Sequence, residues 1–317
     1  MPTNPSIEQP GKLEPCVPLV AHPDTREGCH CNPCVFLTLP FNLYRKANHR
    51  LRRFMSVWLG ILNELKDIRF GWHFALGQVF GALNKKAFCV NIPGFGKLNV
   101  RKGSVDSKVI RQVFRDREYD LSGFPQLDKI QLRYDELCRT GFIPVIIDAG
   151  ANIGASTVWF ARKFPEAKVV AVEPDASNAA CIRANVAGID NIEVVEAAIG
   201  STPGFATIIN KTDQAWAFKT ARVDKDEGIR ICSVSELVEA VTHGHLFIVK
   251  VDIEGFEADL FERDTDWLQQ VAVLFIELHD FMLPGKGSSF NFQKTIARYN
   301  FEVLINGENM IYVRSSQ

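Results

Sequence analysis

Two stretches of this chain hold residue types spaced for chemistry. The first is Ile147-Asp148-Ala149-Gly150-Ala151-Asn152-Ile153-Gly154, an acid followed by a glycine-rich turn. Glu173 stands at the end of the next β-rich run, Ala167 to Val172. Glycines let a backbone approach a ligand, and an acid at the tip of the second strand accepts ribose hydroxyls. The pair therefore reads as a nucleoside site. A pyrophosphate site wants G-x-G-x-x-G at a helix N-terminus. Here Asn152 takes the place of the middle glycine, Ala155 follows Gly154, and Asp148 precedes the turn. A carboxylate there repels a pyrophosphate and attracts a cation. S-adenosylmethionine (SAM) carries a sulfonium and an ammonium and no phosphate, so the turn favours SAM over a nicotinamide dinucleotide.

The second stretch is Lys250-Val251-Asp252-Ile253-Glu254-Gly255-Phe256-Glu257, with Glu277-Leu278-His279-Asp280 further on. Apolar runs lead into both, Phe247-Ile248-Val249 and Val273-Leu274-Phe275-Ile276, so the charged ends are conspicuous. Such a set suits removal of a proton from an alcohol. One route uses His279 as the base, oriented by Glu277 or Asp280, or else Asp252 as the base. The other uses a divalent cation such as Mg held by Asp252, Glu277 and His279, which lowers the pKa of bound acceptor oxygens. Each charged residue also has a plainer role. Lys250 can neutralise Asp252 or Glu254, Glu254 can start the next helix, and His279 can be a satisfied core histidine.

The elements that must hold these residues alternate strand and helix. Strands are expected at 143–148, 168–173, 192–196, 246–252 and 271–278, and helices at 155–163, 175–187 and 235–241. Phe301–Ile305 and Met310–Arg314 flank Asn306-Gly307 as a hairpin, and residues 204–231 read as an antiparallel β insertion. Upstream, 87–101 reads as two short strands around Pro93-Gly94-Phe95-Gly96, and 107–117 and 126–139 as helices. This pattern predicts an α/β, Rossmann-like, mostly parallel sheet with an antiparallel C-terminal hairpin strand.

From about Leu98 to Val313 the chain resembles the FkbM-type family of SAM-dependent methyltransferases. The resemblance is carried by 147–154, Val172-Glu173-Pro174-Asp175, Glu196-Ala197-Ala198-Ile199-Gly200 and the K-x-D-x-E-G-x-E run at 250–257, and Glu277-Leu278-His279 fits it too. It implies a class I methyltransferase fold, SAM as methyl donor and a sugar or other hydroxyl as acceptor. In that fold the C-terminal ends of strands 1, 4 and 5 meet at one cleft, so Asp148, Lys250, Asp252, Glu254, Glu277, His279 and Asp280 should converge. The expected cofactor ligands are Asp148, Gly150, Asn152, Gly154, Glu173, Pro174, Glu196, Ala197, Ala198 and Asp252. The expected catalytic residues are Asp252, His279, Lys250 and Glu254. Trp216 and Phe218 of the insertion are candidates for stacking on an acceptor sugar.

Three parts are expected: a Pro- and Cys-containing tail at 1–34, a mainly helical extension at 35–97, and a catalytic domain at 98–317. The net charge of −1 argues against a nucleic-acid partner and leaves a small-molecule or glycan acceptor. Residues 1–100 carry 12 Lys and Arg against 6 Asp and Glu, so the extension is the basic part. Its segment 43–65 spaces apolar residues by three and four with Arg45, Lys46, Arg50, Arg52 and Arg53 at its start, which suits an anionic membrane surface or ordinary packing. Cys29, Cys31 and Cys34 with His30 read as an exposed cluster or a metal clip. Cys89, Cys138, Cys181 and Cys232 read as reduced thiols. No apolar run reaches 18 residues and Met1–Val20 lacks the apolar core of a leader, so a cytoplasmic place, peripheral to the inner face of a membrane through 43–65, is expected. Oligomeric state is not legible. The competing function classes are a membrane- or complex-associated binding module with a vestigial methyltransferase fold and, against the turn chemistry, an oxidoreductase.

Overall fold

The computed structural model describes residues 87–101, 104–209, 219–223 and 228–315. The tail and its cysteine cluster, the basic segment 43–65, and Trp216 and Phe218 lie outside the described residues.

β1 (Ala87–Ile92) and β2 (Gly96–Arg101) pair antiparallel along their whole length. A short helix, α1 (Asp106–Ile110), runs on into one π-helical turn at Arg111–Arg115. The sequence pattern predicts a single regular helix over 107–117, and the structure replaces its second half with this wider turn. α2 (Leu127–Arg139) then leads to β3 (Ile143–Ala149), α3 (Ala155–Lys163), β4 (Lys168–Val172), α4 (Ala176–Asn185) and β5 (Ile192–Val195). β6 (Ala198–Ile199), β7 (Gly204–Ile209), β8 (Lys219–Val223) and β9 (Ile229–Cys232) form a separate four-stranded sheet in the order β6-β9-β7-β8. α5 (Val234–Glu239), β10 (Gly244–Val251), α6 (Glu257–Leu260), β11 (Val273–Ile276), α7 (Phe290–Ile296), β12 (Phe301–Asn306) and β13 (Asn309–Arg314) complete the chain.

The central sheet has seven strands in the order β12-β13-β11-β10-β3-β4-β5. From β5 to β11 every neighbour is parallel, while β13 runs antiparallel to both β11 and β12. Strand order reverses between β3 and β10, and an open α/β sheet binds its ligand at that point, beyond the carboxyl ends of the strands. The two middle strands are buried on both faces. Val145, Ile147 and Ala149 of β3 join one apolar layer, and Ile146 joins the other. This is why they read as continuous apolar runs.

β10 breaks the strict alternation. Its register against β3 shifts between Leu246 and Ile248. Leu246 and Val249 share one layer, whereas Phe247 and Ile248 share the other. An extra residue in a strand re-aims everything after it. Here the shift brings Lys250 into register with Asp148 on β3.

Candidate active site

The glycine turn leaves β3 as Gly150-Ala151-Asn152-Ile153-Gly154, and three of its residues have positive φ: Gly150 at 76°, Asn152 at 52° and Gly154 at 82°. Asparagine is among the few side chains that tolerate this region. A Cβ on Gly150 would lie 1.7 Å from the carbonyl oxygen of Asp252, so the loop after β10 packs directly on the turn. The glycine is thus required by a backbone neighbour. Gly154 opens α3, and a Cβ there would meet Ile182 at 3.1 Å.

Glu173 ties the turn to the tip of β4. Its Oε2 accepts from the Asn152 backbone N–H at 2.9 Å, and its Oε1 accepts from the Asp175 N–H at 3.0 Å and Asn178 Nδ2 at 3.2 Å. Burial pushes its carboxyl up to about 6 against these three hydrogen bonds. A carboxylate has about four acceptor sites, so one remains, on Oε2. Asn152 lines the same cleft, and its Oδ1 is buried without a hydrogen-bond partner. Glu173 and Asn152 together, rather than Glu173 alone, offer acceptors for two adjacent hydroxyls.

The cleft encloses about 880 Å³. On the Glu173 side it is lined by Gly150, Asn152, Val172, Pro174, Ala197, Ala198 and Ile199. On the other side stand Asp252, Glu254, Glu277 and Glu308, and Lys108 of α1 and Gln112 of the π-helical turn, the latter 3.5 Å from Glu308, line the cleft as well. Glu308 reaches the cleft on the tip of the β12–β13 hairpin. Glu118 holds that tip: its Oε2 accepts from Asn309 Nδ2 and Gln112 Nε2, both at 3.0 Å. Gly307 abuts Glu118 so closely that a Cβ would come within 2.3 Å of its carboxyl carbon.

His279 is 2% exposed and lies beyond the end of β11. Its Nε2 faces Asp252 Oδ1 and Glu254 Oε2 at 3.6 Å each and Glu277 Oε1 at 3.7 Å. Its Nδ1 meets Glu257 Oε1 at 2.8 Å. Burial works against a charged ring, yet the Glu257 bond and the surrounding carboxylates outweigh it and raise the imidazole to about 9. Burial and the charge of Asp252 push Glu254 up to about 7 and raise Glu277 as well. Glu254 also has φ 53°, rare for a residue with a side chain and a strain that tends to sit at functional sites.

These strand ends, joined in this order and crowned by a glycine turn and a strand-tip acid, decide the comparison with known proteins. Residues 148–303 match the family described as methyltransferase FkbM domain. The chain carries an FkbM-type methyltransferase domain. The central sheet, parallel from β5 to β11 with β13 antiparallel, is of the α/β, Rossmann-like kind. A curated relative, the methyltransferase sdnD of Sordaria araneosa, is 33% identical over 66 residues, covering 21% of this chain and 19% of that protein. The aligned part thus spans about a fifth of the relative's length. Among solved structures, a putative O-methyltransferase from Klebsiella pneumoniae is similar at 14% identity and a TM-score of 0.34, over 65% of this chain and 90% of that one. The O-methyltransferase from Bacillus cereus in complex with SAH is similar at 13% identity and a TM-score of 0.33, over the same shares of 65% and 90%. Both likenesses are too distant to carry an argument.

The FkbM-type domain gathers most of the residues singled out from sequence, and it moves several of them off the cleft. Asp148 is fully buried beneath the turn. Its Oδ2 accepts from Ser156 and Thr157 at 2.7 and 2.6 Å, and its Oδ1 faces Lys250 Nζ at 3.3 Å. It supports the turn and does not line the cleft. Lys250, 2% exposed, donates to the Gly150 carbonyl at 2.7 Å and is a strut with no catalytic access. Burial opposes its charge, but the carboxylates of Asp148 and Asp252 prevail and raise its pKa. Glu196 turns outward to Arg183 at 3.0 Å, so only Ala197 and Ala198 of that segment face the cleft. Asp280 is pinned to Ser288 and Ser289 at 3.0 and 3.2 Å and does not touch His279, nor is Glu277 within hydrogen-bond distance of the ring. The carboxylate bonded to the ring is Glu257, whose one signal in the sequence was its place as the last acid of the K-x-D-x-E-G-x-E run. Glu308 and Gln112 gave no local signal at all, because they enter through a hairpin tip and a π-helical turn.

Proposed function

We propose that this protein transfers a methyl group from SAM to a hydroxyl of a sugar, glycan or related metabolite. The observation that carries this is one continuous cleft. It runs from the hydroxyl acceptors of Glu173 and Asn152 to the carboxylates around His279, with the Gly150 turn between them. The residues present fit the donor: an acid at the tip of β4, an orphaned amide oxygen beside it, and a small apolar floor of Ala197, Ala198 and Ile199. Bound SAM would supply an electrophilic methyl group on sulfur. As the C–O bond forms the C–S bond breaks, and the hydroxyl proton must pass to a base.

Glu254 suits that step best. It lines the cleft, its side chain is 34% exposed, and its carboxyl lies near neutral pH, where a general base is most effective. His279, raised to about 9, is an imidazolium at neutral pH and faces the carboxylates as a cation. This assigns proton removal to a carboxylate in place of the histidine. A second reading is favoured by one fact: ligand atoms of Asp252, Glu277 and His279 lie within 4.8 Å of one another. A divalent cation such as Mg would be held there by the Asp252 and Glu277 carboxylates, with His279 a ligand only once the cation displaces its Nε2 proton, and it would lower the pKa of an acceptor hydroxyl.

The test is calorimetric titration with S-adenosylhomocysteine (SAH), followed by transfer of labelled methyl from SAM to a panel of methyl glycosides with and without EDTA. Micromolar SAH binding, weakened about 10–100-fold in Glu173→Ala by loss of a charge-assisted hydrogen bond, is expected. Folded protein that ignores SAH would overturn the proposal and favour a binding module built on a vestigial fold. Among the described residues no helix is long and apolar enough to cross a membrane.

A further inference from the structure

We infer that Glu257 is the positioning residue of the cleft, and that one of its buried oxygens fixes both the His279 ring and the loop that carries Glu254. The inference rests on the methyl-transfer reading for its purpose, though its geometry stands without it. Glu257 begins α6 and is fully buried. Its Oε1 takes the His279 Nδ1 bond at 2.8 Å and also accepts from the Gly255 backbone N–H at 3.2 Å. The first contact fixes the ring, with Nδ1–H donating to Glu257, so the Nε2–H of the imidazolium is the group presented to Asp252, Glu254 and Glu277. The second contact holds the Glu254-Gly255 corner, where both residues have positive φ, 53° and 96°. A side chain at φ 53° persists only when its surroundings over-determine it. Here the constraint comes from Glu257 on one side and from Leu283, 2.6 Å from where a Gly255 Cβ would lie, on the other.

The other oxygen of Glu257, Oε2, is buried with no hydrogen-bond partner. Nothing about packing alone explains a fully buried carboxylate half of whose acceptors are idle. An apolar side chain would fill the space without the cost of burying an unpaired polar oxygen. The groups around the ring account for its retention. Asp252, itself 3.6 Å from Lys250, reaches it from the end of β10, Glu254 from the loop and Glu277 from the end of β11, and the Phe281 ring lies tilted with its centroid 6.0 Å away. A ring free to turn would trade its two nitrogens among these carboxylates, and the corner bearing Glu254 would lose its anchor.

The experiment uses the full chain and needs no known acceptor. A histidine N–H bonded to a buried carboxylate gives a protected, far-downfield proton NMR signal. It should be present in the wild type, lost in His279→Asn and moved upfield in Glu257→Gln, whose neutral oxygen makes a weaker bond. SAH affinity should stay within about twofold in Glu257→Gln, since the Glu173 side is untouched. With the best methyl glycoside of the panel, Glu257→Gln should lower kcat about 10–100-fold, the usual cost of removing such an outer partner, while KM barely moves. A wild-type spectrum without that signal, a signal that Glu257→Gln leaves in place, or an unchanged kcat overturns the inference. Failure of the wild type to bind SAH is a separate result: it removes the methyl-transfer reading and leaves the NMR outcome valid.

Discussion

Replacing Lys250 by Met tests whether a buried ion pair holds the cofactor turn. The ammonium is 2% exposed, 3.3 Å from Asp148 Oδ1 and 2.7 Å from the Gly150 carbonyl it serves as donor. Methionine has similar length and no charge, so the space stays filled. What it leaves behind is the Asp148 carboxylate, fully buried, with only the Ser156 and Thr157 hydroxyls on its far oxygen. Removing one partner of a buried pair costs about 3–5 kcal/mol, because the remaining charge is uncompensated. At about 2–4 °C per kcal/mol for a domain of this size, Tm should fall by roughly 6–20 °C. The double variant Asp148→Asn with Lys250→Met removes both charges. It should be more stable than the two single losses predict, by about 0.5–3 kcal/mol of coupling. Thermal and urea melts of the four proteins close the cycle, and SAH titration reports the turn itself. A Lys250→Met variant within about 1 kcal/mol of wild type, or strictly additive losses, would show that the pair is not what holds the turn.

Three further outcomes follow from the same geometry. Protonation of Glu173 takes up the one acceptor site left on Oε2, and its carboxyl sits at about 6, so SAH affinity should hold above that pH and fall below it, by at most about tenfold per unit. A raised folded-state pKa acts oppositely on the free protein: its contribution to stability is full below the unfolded value and is lost as pH rises through about 6, and Glu173→Gln should abolish both trends. In Gly150→Ala the new Cβ would sit 1.7 Å from the Asp252 carbonyl in a backbone with φ 76°, so the loop after β10 must move, and SAH binding and Tm should both drop sharply. Glu254→Gln keeps shape but takes no proton; with a methyl glycoside acceptor it should lower kcat about 10²–10⁴-fold while SAH affinity is unchanged, and wild-type turnover would remove Glu254 as the base.

The sequence by itself determined the layers and the end of the sheet where the site lies. Apolar runs such as Val145–Ile147 and Val273–Ile276, separated by helical segments, specify parallel strands buried on both faces, because only such strands are apolar without alternation. The break from apolar to charged at Asp148, Glu173, Asp252 and Glu277 marks the carboxyl edge, since a charge can end a buried strand but not interrupt it cheaply. The roles of individual acids were decided only by the tertiary structure. The register shift at Leu246–Ile248 sends Lys250 to Asp148, and no periodicity rule counts an extra residue in advance. Glu196 and Ala197 adjoin in sequence yet part company, one to Arg183 on the surface and one to the cleft. Glu257 and His279, 22 positions apart, become a hydrogen-bonded pair because they follow β10 and β11, which lie parallel side by side in the sheet. A motif places a carboxylate near a site, whereas its burial and the partner that reaches it first set its charge and its task, and both are properties of the packed fold.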